Sequence, residues 1–197
     1  MFTRYRSLWI TLGVLFLLLL AFNFLTFRLS RSNTEVNSSF STIRAGETLP
    51  ENMRPGFTQL YSINGNDRLA QELGAALEDA FEGTITGAAT ELQEEENASA
   101  PLLIVDLTAN RLWMPVYGRA NVEAQVFYAH DGEAPWPLDE PLTVESSPAI
   151  KGSGSFTLVD STWGLLSKPG YDEHLAQQLA ERIVTTLQND IFRLPLP

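Results

Sequence analysis

The chain of 197 residues holds two histidines and no cysteine, so the side chains that most often carry chemistry are scarce. His130 precedes Asp131-Gly132 and His174 follows Glu173. A general base or a metal pair needs such rings to converge on a partner, and nothing in their spacing brings them together; each is read as an exposed or locally bonded imidazole. The missing thiol excludes nucleophilic cysteine chemistry, zinc–thiolate and iron–sulfur sites, c-type haem attachment and a lipobox anchor. Lys151-Gly152-Ser153-Gly154-Ser155 is rich in glycine but lacks the phosphate-loop order, and it enters a strand where a phosphate loop would open a helix. Its Gly-Ser-Gly spacing is also wrong for a nucleophile elbow. The run around Glu91 and Glu94 to Glu96 lacks the spaced ligands and glycine of a calcium loop, and reads as a solvated connection. The adjacent pairs Asp139-Glu140 and Asp172-Glu173 have no spacing that makes a glycosidase of them. The expectation is no catalytic residue, no cofactor, no metal and no enzymatic activity.

Aromatic rings remain. Leu112 to His130 reads LWMPVYGRANVEAQVFYAH, with Trp113 and Tyr117 flanking Pro115. Proline cannot donate to a ladder, so Trp113 to Gly118 is placed at a strand end, bulge or bend, where rings cap a sheet or stand exposed as a contact surface. Together with Trp136 and Trp163 these are the expected partner-contact residues, whereas Tyr128 belongs to the apolar face and to the core.

The elements that must position these residues follow from periodicity. Phe57 to Ile63 reads as a first strand. Leu69, Leu73, Ala76, Leu77, Ala80 and Phe81 form one helical stripe, with Asn66 expected as N-cap. Leu102 to Thr108 is a continuous apolar run, read as an interior strand covered on both faces. From Ala120 to Tyr128 the period is two, and Phe156 and Leu158 alternate with Thr157 and Val159 in another strand. Asp131 to Pro148 is a long connection. Leu175, Leu179, Ile183, Leu187 and Ile191 recur every fourth residue in a final helix, with Asp172 expected as its N-cap. So few strands cannot cover themselves, which predicts an α+β two-layer sandwich: an antiparallel or mixed sheet of three to five strands with two helices on one face.

Leu8 to Phe27 contains no charge, and twenty residues at about 1.5 Å each match the roughly 30 Å of a bilayer core. This segment reads as a transmembrane anchor, the alternative being a signal sequence cleaved near Ser30-Arg31-Ser32. The chain divides into an anchor (1–31, spanning 8–27), a flexible tether (32–56) rich in Ser, Thr and Asn, and an extracytoplasmic domain (57–197). The net charge is −11, with all 24 acidic residues beyond the span. That balance opposes nucleic acid as a partner. Arg4, Arg6 and the amino terminus before the span, against Arg28 and Arg31 after it, place the N-terminus in the cytoplasm by a narrow margin.

The order strand, helix, strands, helix outside a membrane, with a proline-containing Trp113–Gly118 turn and a long amphipathic last helix, resembles the lipopolysaccharide-assembly lipoproteins and related small envelope accessory domains. The resemblance covers Phe57 to Phe192 and implies an accessory role in a cell envelope. The chain departs from that family in replacing the lipobox cysteine with a membrane helix, and no functional residue is carried over. The expected function is a single-pass membrane protein whose exposed domain docks, without catalysis, onto a larger membrane or envelope complex; the alternative is a carrier of a lipid or other apolar ligand between helices and sheet. Its expected partners are the bilayer, through Leu8 to Phe27, and a protein of that complex.

Overall fold

The computed structural model describes residues 3–22, 24–44, 59–65, 67–81, 85–88, 101–129 and 150–192. Its elements in chain order are α1 (Thr3–Phe22), β1 (Arg28–Arg44), β2 (Gln59–Asn64), α2 (Arg68–Ala80), β3 (Ile85–Ala88), β4 (Leu102–Met114), β5 (Tyr117–Ala129), β6 (Ile150–Leu166) and α3 (Lys168–Leu187), which continues into a π-helical turn, Gln188–Phe192.

The six strands form one mixed sheet in the order β1-β6-β5-β4-β2-β3. The pairs β1–β6, β6–β5 and β5–β4 are antiparallel, while β2 runs parallel to both β4 and β3. Both α2 and α3 pack on one face, as the two apolar stripes require. Leu69, Leu73 and Leu77 of α2 meet Leu175, Leu179, Ile183 and Leu187 of α3 over Leu103, Val105, Val122, Val126, Tyr128, Phe156 and Leu158 of the sheet. Every one of these side chains is essentially removed from water. At about 1.5–3 kcal/mol per fully buried large apolar side chain, this interface is the main stabilising term of the body. Arg111 of β4 fastens the N-terminal ends of both helices to the sheet. It donates 2.6 Å to Asp172 Oδ1, five residues past the Ser167 cap of α3, and also pairs with Asp67, the N-cap of α2.

The sandwich of mixed sheet and two one-sided helices matches expectation, but the strand count does not. Arg28–Arg44, expected as the end of the anchor and the start of a tether, is the longest edge of the sheet and pairs with β6 along its whole length. Its inward positions are mostly Ser and Thr, with Val36 and Phe40 the apolar exceptions, so the alternation that marks a strand is largely absent from its sequence. The folded body therefore begins at residue 28, not 57. Ile85–Ala88, to which the sequence pattern assigns no element, is the short edge strand β3. Leu103, Ile104 and Val105 are buried as expected, but β4 runs on to Met114 with one face open to solvent. The helices also start elsewhere: Asp67 caps α2 by accepting from Ala70 N at 3.1 Å, and Ser167 caps α3 five residues ahead of Asp172. The uncharged segment Leu8–Phe27 is not one helix, since α1 ends at Phe22. Residues 45–56, the acidic run from Glu91, His130, the connection to Pro148 and Trp136 lie outside the described residues. Among the described residues, no helix is long and apolar enough to cross a membrane.

Candidate functional site

Two features share one end of the sheet, where α1 leads into β1: a buried polar network and an exposed apolar rim.

The network is centred on Asp160 of β6, which is fully buried. Thr34 Oγ1 of β1 donates 2.6 Å to Oδ1, while Thr162 Oγ1 at 2.8 Å and Tyr171 OH of α3 at 2.7 Å donate to Oδ2. His174 Nε2 lies 3.1 Å from Thr34 Oγ1 and 3.5 Å from Asp160 Oδ1. Thr162 Oγ1 is 2.8 Å from Ser32 Oγ; since the single Thr162 proton points at the carboxylate, the serine hydroxyl is the donor in that pair. Arg28 Nη2 in turn donates to Ser32. Burial pushes the Asp160 carboxyl up, but the hydrogen bonds from His174, Thr34, Tyr171 and Thr162 outweigh it and hold the group below the usual carboxylate range. Burial, together with the bond to this anion, pushes the Tyr171 phenol far up, so it stays a neutral donor. Gly118 on β5 makes room for the arrangement, because a Cβ there would stand 2.7 Å from Tyr171 Cζ.

A second joint lies beside the first. The hydroxyl of Ser167 accepts from Gly170 N at 3.1 Å as the α3 cap, accepts from Phe27 N at 3.0 Å and donates to Phe27 O at 2.8 Å. Ser167 N also donates 3.2 Å to Phe27 O. The backbone that leaves α1 is thus captured at the start of α3, which is why Phe27 belongs to the sheet's edge and not to the helix.

An aspartate behind a histidine invites comparison with a catalytic dyad. Here Nε2 faces inward to Thr34 and Asp160, and among the described residues no hydroxyl is hydrogen-bonded to the other ring nitrogen. An open depression of about 320 Å³ beside His174 is lined by Arg28, Ser30, Glu173 and Gln177 among others. Among the described residues no group of three His, Cys, Asp or Glu side chains could hold a metal. What the network does physically is tie β1, β6 and α3 together through their polar sides. Burial raises the Asp172 carboxyl against the opposing pull of Arg111.

The rim lies on the sheet face opposite the helices. β4 and β5 are joined by the two-residue turn Pro115-Val116, whose carbonyls accept from Leu166 N at 2.9 Å and Gly164 N at 3.1 Å. This locks the hairpin tip to the end of β6, which itself pairs Leu165 with Leu29 and Trp163 with Arg31. Leu29, Leu112, Met114, Val116, Trp163 and Leu165 are all exposed. The Tyr117 and Trp163 rings stack at a tilt with centroids 4.4 Å apart. Of the four rings singled out in the sequence, the fold therefore brings together Tyr117 and Trp163. Trp113 points to the helix side and packs partly buried against the core, its Nε1 without a hydrogen-bond partner. Trp136 lies outside the described residues. His174, expected exposed or locally bonded, is buried and bonded to a side chain 140 positions away. The aliphatic members of the rim were not anticipated; the parity of Leu112 and Met114 opposite Trp113, read with a two-residue turn, is the signal that carries them.

No protein-family model matches the chain, and none of the curated proteins matches it. Among solved structures it is similar to a PelC dodecamer from Paraburkholderia phytofirmans at 12% identity and a TM-score of 0.40, covering 77% of this chain and 98% of that one. A second PelC dodecamer from the same organism gives 12% identity and a TM-score of 0.41 over 77% and 99% of the two chains. At these scores the likeness does not bear on function.

Proposed function

We propose that the chain is a non-enzymatic accessory protein held in a membrane by its N-terminal apolar segment, with the N-terminus cytoplasmic and the α+β body outside the cytoplasm, docked onto a larger membrane or envelope complex. The observation that carries this reading is β1. This edge strand of 17 residues follows directly from α1, whose side chains from Leu8 to Leu20, Thr11 apart, are apolar and exposed on every side. A helix without a polar face is at home in lipid. Among the described residues β1 is paired on one side only, and it contains neither proline nor lysine to blunt its free edge. Such an edge is a template for an incoming strand, which is the physical basis for a docking role. A carrier needs space between helices and sheet, and among the described residues Tyr128, Tyr171, Phe156 and the leucines of both helices fill it, which favours docking.

The test is a photo-crosslinking residue placed at Glu35 or Asn37, both exposed on β1, in cells, with Gln177 on α3 as reference. A discrete adduct from β1 and none from α3 is expected. No adduct from β1 in intact cells, or the same smear from both elements, removes the docking reading.

A further inference from the structure

We propose that the apolar rim of the body is seated in the lipid interface beside α1 and completes the anchor; this rests on the membrane reading above. Three observations carry it.

The first is a shortfall. The described apolar side chains of α1 run from Leu8 to Phe22, about 22 Å of helix against the roughly 30 Å of a bilayer core. No described helix is long and apolar enough to span by itself. A short apolar segment draws its flanking groups into the boundary. Here those groups are Phe24 and Leu25, both exposed, and then the body.

The second is position. Phe27 is held by Ser167, and the next rungs of the sheet are Arg28 with Leu166 and Leu29 with Leu165. The hairpin tip is bonded to this level through Pro115 O and Val116 O. At about 3.3 Å per residue, Leu29 lies within roughly 7 Å of Phe27 along the strand, the thickness of one interfacial layer. Trp163 is three residues from Leu166, about 10 Å before strand tilt is considered. Leu29 is 73% exposed and Trp163 63%, values that leave two large apolar side chains uncovered beside the helix that needs them.

The third is composition. Paired aromatic rings at the outer boundary, here Tyr117 on Trp163, are the side chains that membrane interfaces favour. Arg31 stands opposite Trp163, Arg119 opposite Ser161, Arg28 begins β1 and Lys168 begins α3. On the rim face the described charges nearest the tip are Arg31 and Arg119, matched to lipid phosphates, while Glu35, Asp106 and Glu123 lie farther along the same face. The acidity of the chain as a whole keeps the rest of the body off the surface.

The natural chain has no cysteine, so single-cysteine variants of the full-length protein can carry an environment-sensitive fluorophore. Val116→Cys reports the tip, Leu15→Cys the helix, and Gln125→Cys the adjoining strand β5 roughly 30 Å from the tip. Each is reconstituted into phosphatidylcholine–phosphatidylglycerol vesicles carrying nitroxide lipid labelled near the top or the middle of its chain. The proposal expects the probe at 116 to be quenched roughly twofold or more by the shallow label, the probe at 15 by the deep one, and the probe at 125 by neither. A probe at 116 that is unquenched while that at 15 is quenched overturns the seating and leaves the anchor standing. Loss of quenching at 15 overturns both. Equal quenching at 116 and 125 overturns it in favour of a body lying flat. Protection of 116 in native membranes but not in pure lipid overturns it in favour of a protein partner.

Discussion

Replacing Asp160 by Asn keeps the shape of the network and removes its charge. Thr162 and Tyr171 both donate to Oδ2, so the amide oxygen takes that side and their two bonds persist as neutral ones. The amide nitrogen then meets the Thr34 hydroxyl, which must turn from donor to acceptor. A hydrogen bond to a charged group contributes about 1.5–3 kcal/mol and a neutral one about 1, so weakening two and inverting one costs roughly 3 kcal/mol. The relief of burying a charge works the other way, but the carboxyl is held below its usual range in spite of burial, so the bonds are the larger effect. Against a total of about 5–15 kcal/mol this is a large fraction. Urea unfolding of the full-length protein in detergent should show a midpoint lower by about 1.5 M with an unchanged slope. The pH dependence has a definite sign. A depressed folded-state carboxyl stabilises fully above its unfolded value of about 3.9, and that stability is lost as pH falls through the folded value. The gap between native protein and Asp160→Asn should therefore be widest near neutrality and close in strong acid. A variant within about 0.5 kcal/mol of the native protein at neutral pH, or a gap that does not shrink on acidification, would show that the network is not held together by this charge.

Gly118→Ala drives a methyl into the Tyr171 ring, whose hydroxyl is fixed on Asp160, and should cost about 1–3 kcal/mol in the same unfolding measurement. Ser167→Ala removes the α3 cap and the capture of Phe27 together, for about 2 kcal/mol, and hydrogen exchange should show the first residues of β1 losing protection before the centre of the sheet. Arg111→Met strands Asp172, whose second oxygen already has no partner, and should cost about 3 kcal/mol. Because burial raises that carboxyl, its penalty is present above the raised folded value and lifts as pH falls through it; the deficit should narrow in acid, and Arg111→Met with Asp172→Asn should recover much of it.

The parts of this fold that were legible in the chain are those built by apolar burial. The alternation from Ala120 to Tyr128 and the every-fourth-residue stripe from Leu175 to Leu187 state which face is inside, and the sheet and α3 obey them. β1 was not legible, because Ser32 and Thr34 are held by hydrogen bonds to Asp160 and Thr162 from far away in sequence, and polar burial leaves no period. β3 has four residues, too few to show one. The α3 start was readable in principle: Ser167 followed by Lys168-Pro169 is a cap with proline in the first turn, a better signal than Asp172. At the site, the Trp113 to Gly118 bend was anticipated, but which rings meet depends on the turn holding two residues, which puts Trp113 on one face and Tyr117 with Trp163 on the other. The convergence of Thr34, Asp160 and His174 is set by topology, and no spacing expresses it.

The free edge of β1 carries a consequence for crowding. Two identical strands that zip along such edges by a two-fold axis must run in opposite directions, so their starting ends point apart. For copies rooted in one sheet of lipid just ahead of Arg28, both starts face the same floor, and that head-to-foot embrace is geometrically closed to them. On the proposed membrane anchorage, this rooting discourages the self-stacking that the Ser- and Thr-rich edge would otherwise invite and leaves the strand to a different molecule.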